Sequence, residues 1–265
     1  MCIETLCSVS STFPGVFRGH LLSFVAILAM AVVTLDCAGS GTGMTAAQAF
    51  NDERIVRMLE SVRRGDFTAA NREVASGASV NAVGKDGISP LLWLMGEAPR
   101  DTKKIEYLLD KGADPNYREP KLNASALYFA AGGSGMTSTL ETLLAHKGDP
   151  NLIGPNGEPP LFTAVEQFRM DNIKLLIQRG ADVNWVHRNG STAASQAATR
   201  AEFEVVLYIL DHGLTNQLEK LASLLQDRVV PANSNAQREK DKVIQALHDR
   251  GVPFPPPRRD KVKEP

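Results

Sequence analysis

The sequence predicts an all-α solenoid of stacked helix-turn-helix units, joined by short β-hairpin-like loops and capped at both ends. Two observations carry this. The stretch from Asp171 to Asn184, DNIKLLIQRGADVN, puts Ile173, Leu176 and Ile177 on one helical face. It sets Arg179 against the negative helix end and Gly180 where a left-handed residue must close the helix. KIEYLLDKGADPN, STLETLLAHKGDPN and a weaker TAANREVASGASVN repeat the pattern, so Asn81, Asn116, Asn151 and Asn184 stand 35, 35 and 33 residues apart. A further copy, FEVVLYILDHGL, runs to Leu214. Self-similarity at this period marks units that cannot bury an apolar face alone and must stack.

Taken in order, residues 1–38 read as a signal peptide or membrane anchor. LLSFVAILAMAVVTL follows Arg18 and His20, and is short for a membrane span but the length of a signal-peptide apolar region. Leu35-Asp36-Cys37 resembles a bacterial lipoprotein leader, which makes Cys37 a lipidation candidate, although Asp36 stands where that motif needs a small residue. Cleavage after Gly39, Ser40 or Ala49 is the alternative, and translation from Met44 would remove the leader altogether. Residues 39–50 read as a flexible linker.

The structured body is expected over 51–252. Its N-terminal cap, 51–84, has a helix started by Asn51 or Asp52 with Ile55, Met58, Leu59 and Val62 on one side, then a second helix from Phe67 to Ser76 stopped by Gly77. Four repeats follow at about 85–117, 118–152, 153–185 and 186–214. Each opens with a turn and a capped helix: DGISPLLWLM, NASALYFAA, NGEPPLFTAV and NGSTAASQAA. In the first, Ser89 is the cap and Pro90 fills the first helical position, where a missing N–H costs nothing. A charged helix pair at 215–252 closes the stack, and 253–265 is a basic, proline-rich tail expected to be disordered.

Charge excludes a general affinity for nucleic acid. The 265 residues carry 29 basic and 30 acidic side chains, and beyond residue 49 the two signs balance. Cys2, Cys7 and Cys37 all precede the body, which therefore has no thiol for a disulfide, a zinc site or a nucleophile. No HExxH, phosphate-cradling GxxxxGK[ST], GxGxxG after a strand or GxSxG elbow occurs, so neither catalysis, cofactor nor metal is expected. His146, His212 and His248 fall in last helical turns, where a cation suits the helix dipole, as do Lys111, Lys147, Arg179 and Arg250.

The opening and closing motifs together resemble the ankyrin repeat family. Asp86-Gly87-x-Ser89-Pro90-Leu91 stands for its DGxTPL, and Gly180-Ala181-Asp182-Val183-Asn184 for its GADVN; the likeness runs from about Asp52 to Leu214. The family's histidine after TPL is replaced by Leu92, Tyr128, Phe162 and Ser195, so its ladder of hydrogen bonds between repeats is expected to be missing. The resemblance implies a surface formed by the loop tips and the first helix of each unit. The residues it places there are Val83, Lys85 and Ile88; Arg118, Glu119 and Lys121; Ile153, Asn156 and Glu158; Val186, His187 and Arg188; and Glu97, Glu166, Gln167 and Arg200. Trp93 and Trp185 are candidate aromatic anchors.

The function implied is a non-enzymatic, monomeric binder of one protein partner, exported to the periplasm or held at the membrane by its N-terminal segment. Small exported ankyrin proteins resemble immunity proteins against a secreted effector such as a phospholipase, or accessory proteins of a periplasmic enzyme. A cytosolic scaffold made from Met44 is the alternative.

Overall fold

The computed structural model describes residues 43–256. The leader at 1–38 with Cys37, residues 39–42 and the tail at 257–265 lie outside the described residues.

Thirteen α-helices form among the described residues. They are α1 (Ala46–Ala49), α2 (Glu53–Arg64), α3 (Phe67–Ala75), α4 (Pro90–Glu97), α5 (Thr102–Asp110), α6 (Ala126–Gly132), α7 (Thr137–Ala145), α8 (Pro160–Glu166), α9 (Met170–Gln178), α10 (Ala193–Thr199), α11 (Phe203–Asp211), α12 (Leu218–Asp227) and α13 (Asn235–His248). From α2 onward they pair, and each pair packs against the next: α4, α6, α8, α10 and α12 form one layer, and α5, α7 and α9, with α11 and α13, form the other. This is the all-α repeat solenoid that the sequence periodicity requires.

Local chemistry sets the helix ends. Ser89, Ser125 and Thr192 accept hydrogen bonds from the amides of Leu92, Tyr128 and Ser195, satisfying otherwise orphaned N–H groups at the starts of α4, α6 and α10. Ser195 accepts in return from the Thr192 amide at 2.9 Å, so at this repeat the residue in the family's histidine position completes a capping box. Gly77, Gly112, Gly180 and Gly213 close second helices with φ between +88° and +100°. In the second repeat Lys147 itself occupies that position at φ +69°, so it is the helix stop and not a member of the last turn.

First-layer helices are buried on almost every side, because each lies between two neighbours and its own partner. In α4, Pro90 through Met95 are all buried. That corrects the expectation for Trp93, which is 3% exposed and cannot reach a partner. Its indole N–H instead donates to the Met44 carbonyl at 2.7 Å. The same contact overturns part of the linker at 39–50. Thr45 caps α1 reciprocally with Gln48, and Ala46, Ala49 and Phe50 are 0%, 2% and 4% exposed, so this stretch is core. At the other end, Phe254 packs on the core and Pro256 is buried, so the expected tail starts later than residue 253.

The ladder expected to be lost with the family's histidine has a counterpart in the asparagines that end each unit. Asn81, Asn116, Asn151 and Asn184 each donate Nδ2–H to a carbonyl of the following unit, those of Gly112, Lys147, Gly180 and Gly213, at 2.7–3.0 Å. Each Oδ1 accepts the amide of Asp114, Asp149, Asp182 or Thr215 in return. Each of the four junctions from the N-terminal cap to the fourth repeat thus has its own pair of bonds at a helix end, where carbonyls lack intrahelical partners.

One inter-repeat contact involves a histidine. His146 Nδ1 faces the Thr142 carbonyl at 2.8 Å and Nε2 faces Asp110 of the preceding repeat at 3.1 Å. Only the doubly protonated ring donates at both positions. The Thr142 bond, and then Asp110, raise the pKa above its ordinary 6.5. A raised histidine contributes stability that is complete below the unfolded value and is lost as pH rises through the folded one. Between about pH 6 and about pH 8 the midpoint of thermal unfolding should therefore fall further in the wild type than in His146→Phe. The difference should not exceed about 1 kcal/mol for so exposed a pair, or roughly 2–4 °C, as read by circular dichroism.

Candidate functional site

A backbone hydrogen bond across the base closes each of the four loops between repeats. Gly84 N–H donates to Ile88, Glu119 to Ala124, Gly154 to Glu158 and His187 to Ser191, at 2.8–3.0 Å. The second loop spans one more residue, as the sequence indicates at Arg118 to Lys121, and an antiparallel bridge joins Arg118 to Ser125. Asp86, Asn123 and Asn156 take left-handed conformations at φ 59–60° in their loops, a role suited to Asp and Asn because their short polar side chains bond locally. These closed tips hold the candidate residues in fixed positions.

Exposure divides the candidates. Val83 is 64% exposed, and Lys85, Glu97, Arg118, Lys121, Asn156, Gln167, Arg188 and Arg200 are also exposed. Ile88, Glu119, Ile153, Glu158, Glu166, Trp185, Val186 and His187 are half-buried. Trp185 packs edge-on against Phe162 with ring centroids 4.9 Å apart, as a stem residue does, while its other side lies 5.9 Å from His187.

Several candidates are engaged in joining one loop to the next. Lys121 Nζ pairs with Asp86 at 2.5 Å, which holds the Asp86 carboxyl below its usual range, and Arg118 donates to the Ile153 carbonyl at 3.0 Å. Glu119 accepts the amides of Lys121 and Leu122 and so shapes its own loop. Arg200 donates to the Glu166 carbonyl at 2.8 Å. Removing Arg118 or Lys121 would therefore loosen the stack as well as strip the surface. Val83, Lys85 and Arg188 make no ion pair among the described residues and are the cleaner probes.

Two groups here, Glu158 and Tyr128, are shifted by their surroundings. Burial pushes the Glu158 carboxyl up, with His187 opposing and Glu166 reinforcing; burial and then both glutamates raise Tyr128. The centre of the face is thus a half-buried acidic patch beside an aromatic ring. Tyr128 carries no mark in the sequence beyond replacing the family's histidine. Among the described residues no three His, Cys, Asp or Glu side chains are grouped as metal ligands.

Comparison with known proteins agrees with this architecture. The family model for ankyrin repeats matches residues 127–220 in three copies. The human Notch-regulated ankyrin repeat-containing protein is 31% identical over 80 residues, which are 29% of this chain and 70% of that protein. Phosphocholine transferase AnkX of Legionella pneumophila is 25% identical over 206 residues, 75% of this chain but 20% of that protein. Alpha-latrocrustotoxin-Lt1a of Latrodectus tredecimguttatus is 31% identical over 118 residues, 44% of this chain and 8% of the toxin. The chain thus spans a fifth or less of these two longer relatives. Helix pairs, closed loops and matched motifs point one way: the chain belongs to the ankyrin repeat family, whose repeats are protein-binding modules.

Proposed function

We propose that the chain is an exported ankyrin solenoid of the bacterial envelope, which binds one protein through its loop tips and first-layer helices. Its function is that of an immunity protein or inhibitor of a secreted effector such as a phospholipase. The observation that carries the binding reading is the set of exposed side chains on rigid loop tips, above all Val83 at 64% exposure with Lys85 and Arg188, that the stack does not use. A single-purpose inhibitor needs such a fixed surface and no reaction centre. The proposed export rests on the apolar stretch from Leu21 to Leu35. Cleavage after Gly39 or Ser40 keeps every described residue, whereas cleavage after Ala49 would remove two core alanines and the acceptor of the Trp93 indole.

A second reading is a cytosolic scaffold translated from Met44, which would keep the Met44 carbonyl that accepts the Trp93 indole N–H. A role supporting a periplasmic enzyme is the other form of the exported reading. The test is to express the protein with a C-terminal tag, fractionate the cells and weigh the product. Export gives a processed protein outside the cytoplasm whose first residue precedes Met44. A cytosolic product starting at Met44 would overturn it. A neighbouring gene for a secreted lipase or nuclease would supply the partner, and Val83→Asp with Arg188→Glu should weaken its capture at least tenfold without lowering thermal stability.

A further inference from the structure

In the N-terminal cap and in the second and fourth repeats the corner between the two helices holds a left-handed residue, Gly65 at φ +78°, Gly135 at φ +65° and Ala201 at φ +63°. In the third repeat that residue is Phe168, at φ +55°. A bulky side chain is strained there, and burial does not offset the strain, because the ring is 49% exposed. The ring is nevertheless held in place: the Arg200 guanidinium lies 5.4 Å from its centroid and is itself anchored on the Glu166 carbonyl. An exposed aromatic kept at a cost in backbone strain, and ordered in advance by an arginine, has the character of a binding anchor.

Its surroundings indicate what it would bind. Phe168 borders a shallow depression of about 330 Å³ between the second and third repeats, where Gly133 and Gly135 line one side and Met170 supplies apolar surface. Two further guanidiniums flank the same corner, Arg100 anchored on the Ser134 carbonyl at 3.2 Å and Arg169 on that of Gly132 at 3.0 Å. Against these three cations stand Glu166, 3.6 Å from Arg200, and Asp171 in the first turn of α9. The local balance favours an incoming carboxylate.

We propose that this corner docks an extended segment of a protein partner in which an apolar side chain adjoins an aspartate or glutamate. The apolar side chain fills the depression against Phe168, and the carboxylate meets Arg169 and Arg200. This rests on the protein-binding reading above but names a different part of the surface from the loop tips.

The probe is a random dodecapeptide phage library panned on the full chain, with enriched peptides synthesised and titrated by fluorescence polarisation. Enriched peptides should carry an apolar residue within two positions of an acid, and exchanging that acid for lysine should weaken them at least tenfold. Phe168→Gly should weaken them tenfold or more while leaving the unfolding temperature equal or higher, because glycine relieves the left-handed strain. Undiminished binding by Phe168→Gly, a lowered unfolding temperature, or enriched peptides without the acidic pattern would overturn the proposal. Peptides lost on Val83→Asp with Arg188→Glu, yet retained by Phe168→Gly, would overturn this site alone and leave the protein-binding reading standing. A library yielding no binder would count against both.

Discussion

Replacing Asn172 by leucine should cost the fold about 3 kcal/mol, near the upper end for leaving buried polar groups without partners. Asn172 is 1% exposed, in the first turn of α9. Its amide donates to the carbonyls of Ala130 and Ala131, at 3.1 and 2.8 Å, in the last turn of α6, and its oxygen accepts from the Thr137 hydroxyl at 2.6 Å. Those carbonyls have no intrahelical acceptor role left to play, so leucine of similar size would fill the space and strand three polar groups. Urea unfolding should show a lower midpoint with an unchanged slope. A loss below about 1 kcal/mol, the net worth of one ordinary bond, would mean that water reaches the site and the side chain is not the connector it is drawn as.

Asn172 also marks where sequence reading stops. The stretch that contains it announces its helix through Ile173 and Leu176, both of which are fully buried, and its stop through Gly180. Asparagine one residue from an apolar stripe reads as solvent-facing, because nothing in a single chain says that another helix ends there. Trp93 reads as a binding anchor and not as core for a related reason. A first-layer helix has neighbours on three sides, so its apolar residues lose the one-sided spacing that tells buried from exposed. Thr45 to Phe50 reads as linker because a single turn of alanine-rich helix carries no periodicity, and the Trp93 indole that bonds the adjoining Met44 carbonyl lies 49 residues further along. By contrast, Ser89, Ser125 and Thr192 were legible, since capping is decided within four residues. The loop tips were legible as places but not as roles: that Arg118 and Lys121 join one loop to another follows only once the repeats are side by side. Phe168 left no trace, because a left-handed conformation is visible in sequence only when glycine or asparagine occupies it.

Asn184→Ala should destabilise the protein by about 2 kcal/mol, the sum expected for two or three partly exposed bonds, and should do so at one end only. Asn184 donates to the Gly213 carbonyl at 2.8 Å and accepts the amides of Thr215 and Asn216 at 2.7 and 3.0 Å, more than its counterparts at the other junctions. In a solenoid each unit is stabilised by its nearest neighbours, so a weakened junction frees what lies beyond it and leaves what lies before it nearly untouched. Hydrogen exchange in the variant should therefore accelerate in α11 to α13 while α2 to α5 keep their protection. Asn151→Ala, which removes the two bonds to Gly180 and Asp182, should cost less overall but place the break between the second and third repeats. The Phe168 depression lies between the same two repeats, at the other end of α9, so Asn151→Ala should weaken peptide binding there, whereas Asn184→Ala should not. Uniform acceleration along the whole chain in either variant would show that the repeats unfold as one cooperative body, and the asparagine ladder would then report global stability in place of local junction strength.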